Sequence, residues 1–405
     1  MFKRLLFLAA IVVLVVLLAA CANPELTGVQ PKGEPIKIGG IFDLSGPTAD
    51  VAGPYMKGIQ GYVQWVNHRG GIHDRPLQLI YDDYAYKTDK AEQLYNRLVN
   101  EDKVVAVQGW GTGDTEALRS KVATDKIPFM SAAYPLELAD PQNAPYNFLV
   151  GTTYADQLIM VLQWIKDDAA KKGVAPNVTV FHSNSAFGTS PLAAGKKYAD
   201  ANGIPFSDIP MPPVETQELS AVLAKASAQG VNYAIIQNTP LPASQLVKAA
   251  KLPDAKGNMQ FICLNWCADE LFIKLAGGAA EGVMGLQPFS PDLDVPGARD
   301  VVSFLRSKGS LVQDVGMRYL QGWWTMAVMA EGIKRTLDAG QELTGENIHA
   351  SLEGIKGFST GNVTGPLTFS PVDHRGNDTG RLYQVKSSVW EPVTDFLTSR
   401  IPINQ

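Results

Sequence analysis

The sequence has 405 residues, a formal net charge of −5 and 45% hydrophobic residues, a composition typical of an ordinary folded protein. Acidic and basic side chains are dispersed and form no basic cluster, so the electrostatic footprint of a nucleic-acid-binding protein is absent. At the usual domain size of roughly 100–200 residues, a chain of this length is expected to form two domains.

The chain begins with a predicted export signal. Lys3 and Arg4 precede an apolar run over residues 5–20 that contains no polar side chain, and small residues close this run directly before Cys21. Such a short run with a small-residue cleavage site is typical of a signal peptide, and a transmembrane anchor with a chance cysteine is the alternative. Residues 22–34 combine prolines and glycines without apolar periodicity, which favours a flexible tether.

The segment Leu18-Ala19-Ala20-Cys21 resembles the bacterial lipobox, in which the cysteine sulfur carries a diacylglycerol and becomes the mature N-terminus. The resemblance implies a signal peptide over residues 1–20 and a lipidated, flexible tether over residues 21–35. The protein is then expected in the cell envelope, lipid-anchored at the outer face of the cytoplasmic membrane or in the periplasm. Several lipid chains on one residue anchor a protein far better than one acyl chain does.

From residue 36 onwards, apolar strand-like runs alternate with helix-like segments. The predicted strands occupy residues 36–41, 77–81, 104–108, 127–130, 178–182, 233–237 and 260–263. Helix-like segments, such as residues 88–99 and 317–336, lie between or after them. Regular strand–helix alternation predicts parallel sheets with helices on both faces, and the restart of the pattern at residue 178 predicts two lobes.

Two loops that each follow a predicted strand and precede a helix have the setting of a binding site. They cover residues 109–114 and 131–134. Ligands of doubly wound sheets bind beyond the carboxyl ends of the strands, where unpaired N–H groups at helix N-termini suit a carboxylate. Glycines allow a close backbone approach, and the hydroxyls of Thr112 and Ser131 add donors. An ordinary loop with Asp114 as a helix cap is the alternative for residues 109–114.

Two of the three cysteines, Cys263 and Cys267, lie in the expected exported part of the chain. A disulfide between them is possible in an oxidising compartment, and two buried free thiols are the alternative. Close spacing in sequence does not guarantee the Cα separation that a disulfide needs.

Motifs of catalysis and metal binding are missing from the sequence. There is no Gly-x-Ser-x-Gly elbow, no Walker-type lysine loop and no Gly-x-Gly-x-x-Gly after the first strand. Asp82 and Asp83 are adjacent at a strand end and point to opposite faces, so they form a poor catalytic pair. No metal-ligand spacing is visible among the five histidines, His68, His73, His182, His349 and His374. We therefore predict neither an enzyme nor a cofactor or metal site.

Between residue 36 and about residue 393, the sequence resembles type I periplasmic binding proteins of the Leu/Ile/Val-binding kind, the solute receptors of ABC importers. The order and spacing of several segments carry the resemblance. They include Ile36-Lys37-Ile38-Gly39, Leu44-Ser45-Gly46-Pro47, Gly70-Gly71-Ile72, Arg75-Pro76-Leu77, Tyr81-Asp82-Asp83, Ala280-Glu281-Gly282-Val283, Gly365-Pro366-Leu367-Thr368-Phe369-Ser370 and Asp373-His374-Arg375-Gly376.

The resemblance implies an α/β fold of two lobes, each a parallel sheet flanked by helices, with a three-segment hinge between them. It assigns residues 36–153 plus 287–375 to lobe 1 and residues 154–286 plus 376–405 to lobe 2. Residues 373–375 are interpreted as a brace of the hinge-side loop. The protein is expected to be a monomer that closes on a small-molecule solute and delivers it to an ABC permease complex.

Carrying the family's ligand contacts over by position gives a candidate site. The hydroxyl position falls on Thr112, the small backbone donor on Ala132 and its hydroxyl neighbour on Tyr134. From the second lobe, the ligand-contacting aromatic position falls on Phe187 and a further one near Thr239. The full predicted set is Trp110, Thr112, Ser131, Ala132, Tyr134, Phe187, Thr239, Asn265 and Trp266. Its aromatic members suggest an apolar slot, although large rings are more often part of a core.

The main departure from the family pattern is Asn265, which stands where a carboxylate pairs with the α-ammonium of an amino-acid ligand. Asparagine can hydrogen-bond an ammonium but cannot neutralise it, and an unpaired buried ammonium is costly. Either Asp269 substitutes for the carboxylate or the ligand lacks an ammonium. The expected solute is thus a small polar or carboxylate-bearing molecule, such as an amino acid, an amide or a related organic acid. A ligand-sensing module that reports to a signalling partner is the alternative, and a secreted hydrolase is a third hypothesis.

Overall fold

The computed structural model describes residues 30–211, 216–255, 258–310 and 316–403. Cys21, the predicted signal peptide and residues 21–29 of the predicted tether lie outside the described residues. The end of the tether is docked on the first lobe, because the backbone N–H of Gly33 donates to the carbonyl oxygen of Asp74 at 2.7 Å. Within the described ranges, no helix combines the length and the apolar character that a membrane span requires.

The first lobe is built on a parallel sheet of four strands in the order β2-β1-β3-β4. These are β1 (Ile36–Phe42), β2 (Leu77–Asp83), β3 (Ala106–Gly109) and β4 (Phe129–Ser131). The helices that follow the first three strands are α1 (Ala49–His68), α2 (Thr88–Asn100) and α3 (Thr112–Asp125). The predicted loop at residues 109–114 is shorter than expected, because Thr112 to Asp114 already form the first turn of α3.

The second lobe is built on a larger sheet, in the order β11-β10-β9-β8-β7-β5-β6. Its strands are β5 (Val178–Ser183), β6 (Phe206–Met211), β7 (Tyr233–Gln237), β8 (Gln260–Cys263), β9 (Met284–Gln287), β10 (Thr379–Lys386) and β11 (Val389–Pro392), and β12 (Leu397–Thr398) pairs with β10. Strands β5 to β9 are parallel, whereas β10 runs antiparallel to β9 and β11. The central strands are almost wholly buried because helices cover both faces.

The remaining helices complete both lobes. Those of the second lobe are α4 (Tyr154–Lys172), α5 (Ala186–Thr189), α6 (Leu192–Ala201), α7 (Thr216–Ala228), α8 (Pro240–Ala249) and α9 (Glu270–Ala276). The chain then returns to the first lobe with α10 (Pro296–Ser307), α11 (Met317–Asp338) and α12 (Gly345–Glu353). Short 3-10 turns occur at Leu136–Ala139, Pro253–Ala255, Asn265–Cys267 and Gly277–Ala280.

Helices α1 and α11 of the first lobe pack at very short range. A Cβ atom added at Gly58 would lie 2.0 Å from the carbonyl oxygen of Tyr319, and one added at Gly322 would lie 1.9 Å from that of Tyr55. Because no side chain fits between the two backbones, glycine is required at both positions. The two helices therefore form one closely packed unit, and both begin at the cleft between the lobes.

Three segments of the chain cross between the lobes and are bonded to one another. Leu149 forms a bridge with Arg375, and the Thr152 hydroxyl donates to the carbonyl oxygen of Thr379 at 2.6 Å. The Asn377 side chain donates to the carbonyl oxygen of Pro288 at 3.3 Å, which connects the last crossing segment to the middle one. The two-lobed α/β fold predicted from the sequence is confirmed, whereas the exact boundaries of the lobes remain proposals.

Candidate ligand-binding cleft

A cleft with an empty volume of about 280 Å³ lies between the lobes, at the carboxyl ends of strands from both sheets. It is lined by Thr48, Val51, Tyr86, Trp110, Gly111, Thr112, Ala132, Tyr154, Phe187, Thr239 and Trp266. This is the position where doubly wound sheets bind ligands. The space inside it that the centre of a water molecule can occupy is only about 20 Å³, so side chains of the two lobes nearly fill the cleft and must move apart to admit a solute.

The structure brings together most of the residues that the sequence indicated. Trp110, Thr112, Ala132, Phe187, Thr239 and Trp266 all line the cleft. The other three predicted residues, Ser131, Tyr134 and Asn265, are buried behind this lining. The lining residues that the sequence argument missed are Thr48, Val51, Tyr86 and Tyr154, whereas Gly111 belongs to the predicted loop at residues 109–114. Tyr154 was detectable, since Thr153 and Asp156 form a helix cap that places Tyr154 at the start of α4.

Four long helices point their N-termini at the cleft. Thr48, Gly111 and Thr239 are the N-cap residues of α1, α3 and α8, and Tyr154 is the first residue of α4. The first N–H groups of a helix have no partner within the helix and carry its positive dipole end. No aspartate, glutamate, lysine, arginine or histidine is among the lining residues. The lining therefore offers hydroxyls and partial positive charge, but no full charge.

Aromatic rings from both lobes form the walls and meet across the cleft. The ring of Trp266 lies 5.0 Å from that of Trp110 in an edge-on arrangement and stacks on Tyr134 at 6.2 Å. Both indole N–H groups are bonded, Trp110 to the Thr48 hydroxyl at 2.8 Å and Trp266 to the Tyr154 hydroxyl at 3.0 Å. The lobes are thus closed on each other, and the walls are mainly apolar.

Behind Trp266, a buried arginine connects the lobes. Arg318, at the start of α11, is 3% exposed, and its guanidinium carbon lies 4.7 Å from the centre of the Trp266 ring. It donates to the Asp269 carboxylate at 3.1 Å and to the backbone oxygen of Asn265 at 2.7 Å. It also donates to the side-chain oxygen of Gln321 at 3.0 Å. We call Arg318, Asn265 and Asp269 the interlobe latch.

The latch changes the expectation for Asn265. The Asn265 side-chain oxygen accepts from Arg318 at 3.3 Å instead of facing the cleft. Asp269, the alternative partner for a ligand ammonium, is paired with Arg318 and caps α9 by accepting from the N–H of Phe272 at 2.9 Å. A cation of the protein itself therefore engages both groups that the sequence offered to a ligand ammonium.

Comparison with known proteins shows which family has this architecture. A sequence model of the periplasmic binding protein family matches residues 35–389. The chain belongs to the periplasmic binding protein family. The Leu/Ile/Val-binding protein of Escherichia coli (strain K12) is 24% identical over 367 residues, which covers 89% of this chain and 92% of that protein.

Solved structures show the same fold. A branched-chain amino acid ABC transporter protein from Thermus thermophilus with bound valine superposes with a TM-score of 0.83 at 25% identity, covering 92% of this chain and 97% of that one. A solute-binding protein of an ABC transporter from Rhodopseudomonas palustris HaA2, in complex with p-hydroxybenzoic acid, gives a TM-score of 0.77 at 18% identity, with coverage of 91% and 98%. The type I periplasmic binding protein predicted from the sequence is confirmed. Because members of the family bind solutes and are not enzymes, the prediction of a non-enzyme is confirmed too.

In this binding protein, a buried acid lies directly behind the cleft. Asp114 is 3% exposed, and one carboxylate oxygen accepts from the Tyr84 hydroxyl at 2.8 Å while the other has no partner among the described residues. Burial raises the pKa of Asp114 to about 7, an effect that the Tyr84 hydrogen bond offsets only in part. The nearby Asp43 raises the pKa further. A Cβ atom added at Gly111, which lines the cleft, would lie 2.2 Å from a carboxylate oxygen of Asp114.

Asp114→Asn is expected to flatten the pH dependence of stability between about pH 4 and 7. In this window the folded wild type holds a proton that the unfolded chain, with a pKa of 3.8, has released. The wild-type free energy of unfolding therefore falls as the pH rises, by a few kcal/mol at about 1.36 kcal/mol per pKa unit. Urea unfolding at a series of pH values measures this change in the free energy of unfolding. The exposed variant Asp200→Asn is the control, and an equal slope in wild type and Asp114→Asn would contradict the argument.

The cysteine pair lies next to the cleft wall. Cys263 ends β8 and Cys267 closes the 3-10 turn Asn265–Cys267, with a Cα–Cα distance of 5.5 Å and both side chains buried. This separation is within the range that a disulfide spans. A bridge between the two residues would staple the turn that presents Trp266 to the cleft, and we keep the disulfide as a proposal.

Proposed function

We propose that this protein is an extracytoplasmic receptor for a small organic acid without an α-ammonium group, which it delivers to an ABC permease. The observation that carries the proposal is the interlobe latch, in which Arg318 engages the acceptors Asn265 and Asp269. A ligand ammonium in this cleft would find no carboxylate among the lining residues. Burying an unpaired ammonium costs several kcal/mol, so amino acids are poor candidates.

The lining supports a carboxylate group instead. The N-termini of α1, α3, α4 and α8 supply positive dipole ends, which favour an anion. The first turn of α3 has no side-chain cap, whereas the N–H groups of Ala49, Tyr154 and Asp156 have partners within the protein and the prolines that open α8 have no N–H. The rings of Trp110, Phe187 and Trp266 supply an apolar wall for the body of the solute. The related fold that holds p-hydroxybenzoic acid supports the view that such a cleft accommodates an aromatic acid.

Delivery from the cell envelope rests on the N-terminal segment. A lipid on Cys21 would hold the receptor close to its permease and raise the effective concentration of the pair. Hinge closure around the solute, as a monomer, would present the closed form to the transporter. A sensing role with a signalling partner is the second candidate. Membrane fractionation of the Cys21→Ala variant tests the anchor, since the protein should move to the soluble fraction.

A thermal-shift panel tests the ligand class. A solute that binds only the folded protein raises the Tm by mass action. Valine and 3-methylbutanoate differ only in the ammonium group, and 4-hydroxybenzoate and 4-hydroxybenzamide differ in the negative charge. We expect 3-methylbutanoate to raise the Tm more than valine does, and 4-hydroxybenzoate to raise it more than 4-hydroxybenzamide does. A response to valine without a response to 3-methylbutanoate would reject the proposal.

Thr112→Ala is expected to weaken solute binding about tenfold with little loss of fold stability. Thr112 lines the cleft at the first turn of α3, and its hydroxyl interacts with that of Tyr154. Loss of one hydrogen bond costs about 0.5–1.5 kcal/mol. Calorimetric titration with the best acid of the panel measures the Kd. Thr112→Ser keeps the hydroxyl and should bind nearly as well as the wild type, so equal affinities in all three proteins would exclude Thr112 from the site.

A further inference from the structure

Three potential metal ligands from distant parts of the sequence come together beside the hinge. His349 and Glu353 are one turn apart on α12, and His374 lies in the last crossing segment. One ring nitrogen of each histidine and one carboxylate oxygen of Glu353 lie within 4.8 Å of one another. This cluster was not detectable from sequence spacing, because only the fold brings His374 to α12.

The spacing fits a tetrahedral metal ion. The Nε2 atoms of His374 and His349 lie 3.2 and 3.5 Å from the same carboxylate oxygen of Glu353. In a tetrahedral Zn²⁺ site with bonds of about 2.0–2.1 Å, neighbouring ligand atoms are separated by about 3.3–3.4 Å. These two distances match edges of such a tetrahedron, whereas His349 Nε2 must leave the carbonyl oxygen of Pro145 before it can bind an ion.

The buried histidine is oriented from behind, as metal-bound histidines usually are. Nδ1 of His374 lies 2.9 Å from the backbone oxygen of Asn147, and the ring stacks on Phe148 at 4.1 Å. Because a carbonyl oxygen only accepts, Nδ1 carries a proton, and Nε2 of the neutral ring then presents a lone pair to the Glu353 carboxylate, where a shared proton or a bound cation has to lie between the two atoms. His349 is bonded through Nε2 to the carbonyl oxygen of Pro145 at 2.9 Å, a contact that metal binding would exchange.

The charge of the cluster also favours a cation. Among the described residues, the Glu353 carboxylate pairs with the two imidazoles and with no lysine or arginine. The nearby Lys356 is bonded to backbone oxygens, and Arg335 is paired with Glu331. The side chains of His349 and Glu353 are 19% and 18% exposed, so an ion has access from solvent.

We propose that His349, Glu353 and His374 form a binding site for a divalent transition metal of the zinc class, with a fourth position open. Imidazole nitrogen and carboxylate oxygen are ligands that zinc uses in proteins. The ion would tie α12 to the crossing segment at residues 374–376. None of the three residues lines the cleft, so the role of the ion is to stabilise the first lobe at the hinge.

Calorimetric titration of the purified full-length protein with ZnCl₂, after removal of metal with EDTA, tests the site. We expect one equivalent of Zn²⁺ to bind and to raise the Tm by about 5 °C at a hundredfold excess over Kd. The partly exposed ligands are the ones to replace, because they leave the buried ring of His374 in place. His349→Gln and Glu353→Gln should each weaken Zn²⁺ binding at least tenfold.

His73→Gln is the matched control, since His73 is an exposed histidine paired with Asp338 away from the cluster. It should bind Zn²⁺ as the wild type does. Ligand-field absorption of substituted Co²⁺ gives a second readout and should disappear in His349→Gln. If Zn²⁺ leaves the Tm unchanged, or if both ligand variants bind as tightly as the wild type, the cluster is a proton-bridged His–Glu network and the proposal is wrong.

Discussion

Arg318→Met is expected to open the protein and to weaken solute binding on the order of 100-fold or more. The variant keeps an apolar side chain of similar length but leaves the Asp269 carboxylate without a cation in the closed form. Removing one partner of a buried ion pair costs about 3–5 kcal/mol, and 1.4 kcal/mol corresponds to a factor of ten in affinity. In the open form water can solvate Asp269, so the cost falls on closure.

The radius of gyration from small-angle scattering measures this opening without a ligand, and calorimetry with the best acid of the panel measures affinity. Arg318→Met combined with Asp269→Asn is the matched control. Asparagine retains the cap of α9 but carries no charge, so the double variant should recover much of the closed population. A single variant that remains as compact as the wild type, with unchanged affinity, would show that the latch does not hold the lobes together.

Arg375→Met is expected to lower the free energy of unfolding by about 3–5 kcal/mol. Arg375 is 2% exposed and binds Asp156 at 3.0 Å and Asp373 at 2.9 Å, so it joins α4 of the second lobe to the last crossing. Asp156 is fully buried and also accepts from the N–H of Ile401 at 2.9 Å. Without the guanidinium, the buried Asp156 carboxylate keeps only neutral donors and has no paired cation, while Asp373 keeps the partly exposed Arg400. Chemical denaturation measures the loss.

The pH dependence distinguishes charge from packing at Arg375. Burial alone would raise the pKa of Asp373, but the hydrogen bonds and charges of Arg375 and Arg400 outweigh burial and lower that pKa. Its contribution to stability is therefore present above the unfolded pKa of 3.8 and is lost as the pH falls through the folded pKa. The deficit of Arg375→Met should shrink as the pH falls below the unfolded value of 3.8 and through the lowered pKa of Asp373, because its carboxylate then takes up a proton.

Arg400→Met serves as the control for this experiment. Arg400 also binds Asp373, at 2.7 Å, but its side chain is 41% exposed and screened by water. Its loss should cost less than about 1 kcal/mol. If both variants lose the same stability, or if the Arg375→Met deficit is independent of pH, the lost interaction is one of packing and not of charge.

Much of the fold was predictable because it follows from short-range pattern. The strand at residues 233–237 is a continuous apolar run between turn signals, and the structure has the same bounds. The first lobe's loops were predictable as a ligand site because they follow strands and contain Gly111 and Thr112. Family resemblance added Phe187 and Thr239, which no local pattern marks.

The latch and the hinge cluster were not predictable from local pattern. Arg318 lies in a helix with an amphipathic sequence pattern, where an arginine side chain usually faces solvent. Its partner Asp269 is 49 residues away in the sequence. Its burial depends on how the two lobes meet, which a single sequence does not encode in any spacing. The interpretation of residues 373–375 as a hinge brace came from the turn signal at Ser370-Pro371, and Arg375 lies in the last crossing, where it binds Asp156.

The glycine contact between α1 and α11 has a mechanical consequence. Thr48 at the start of α1 touches the solute space, and Arg318 at the start of α11 reaches the second lobe. With Gly58 and Gly322 letting the backbones touch, neither helix can slide or tilt without the other. We infer that the two helices move as one rigid body. Contact of α1 with the solute and contact of Arg318 with the second lobe then form in the same movement, and their free energies combine.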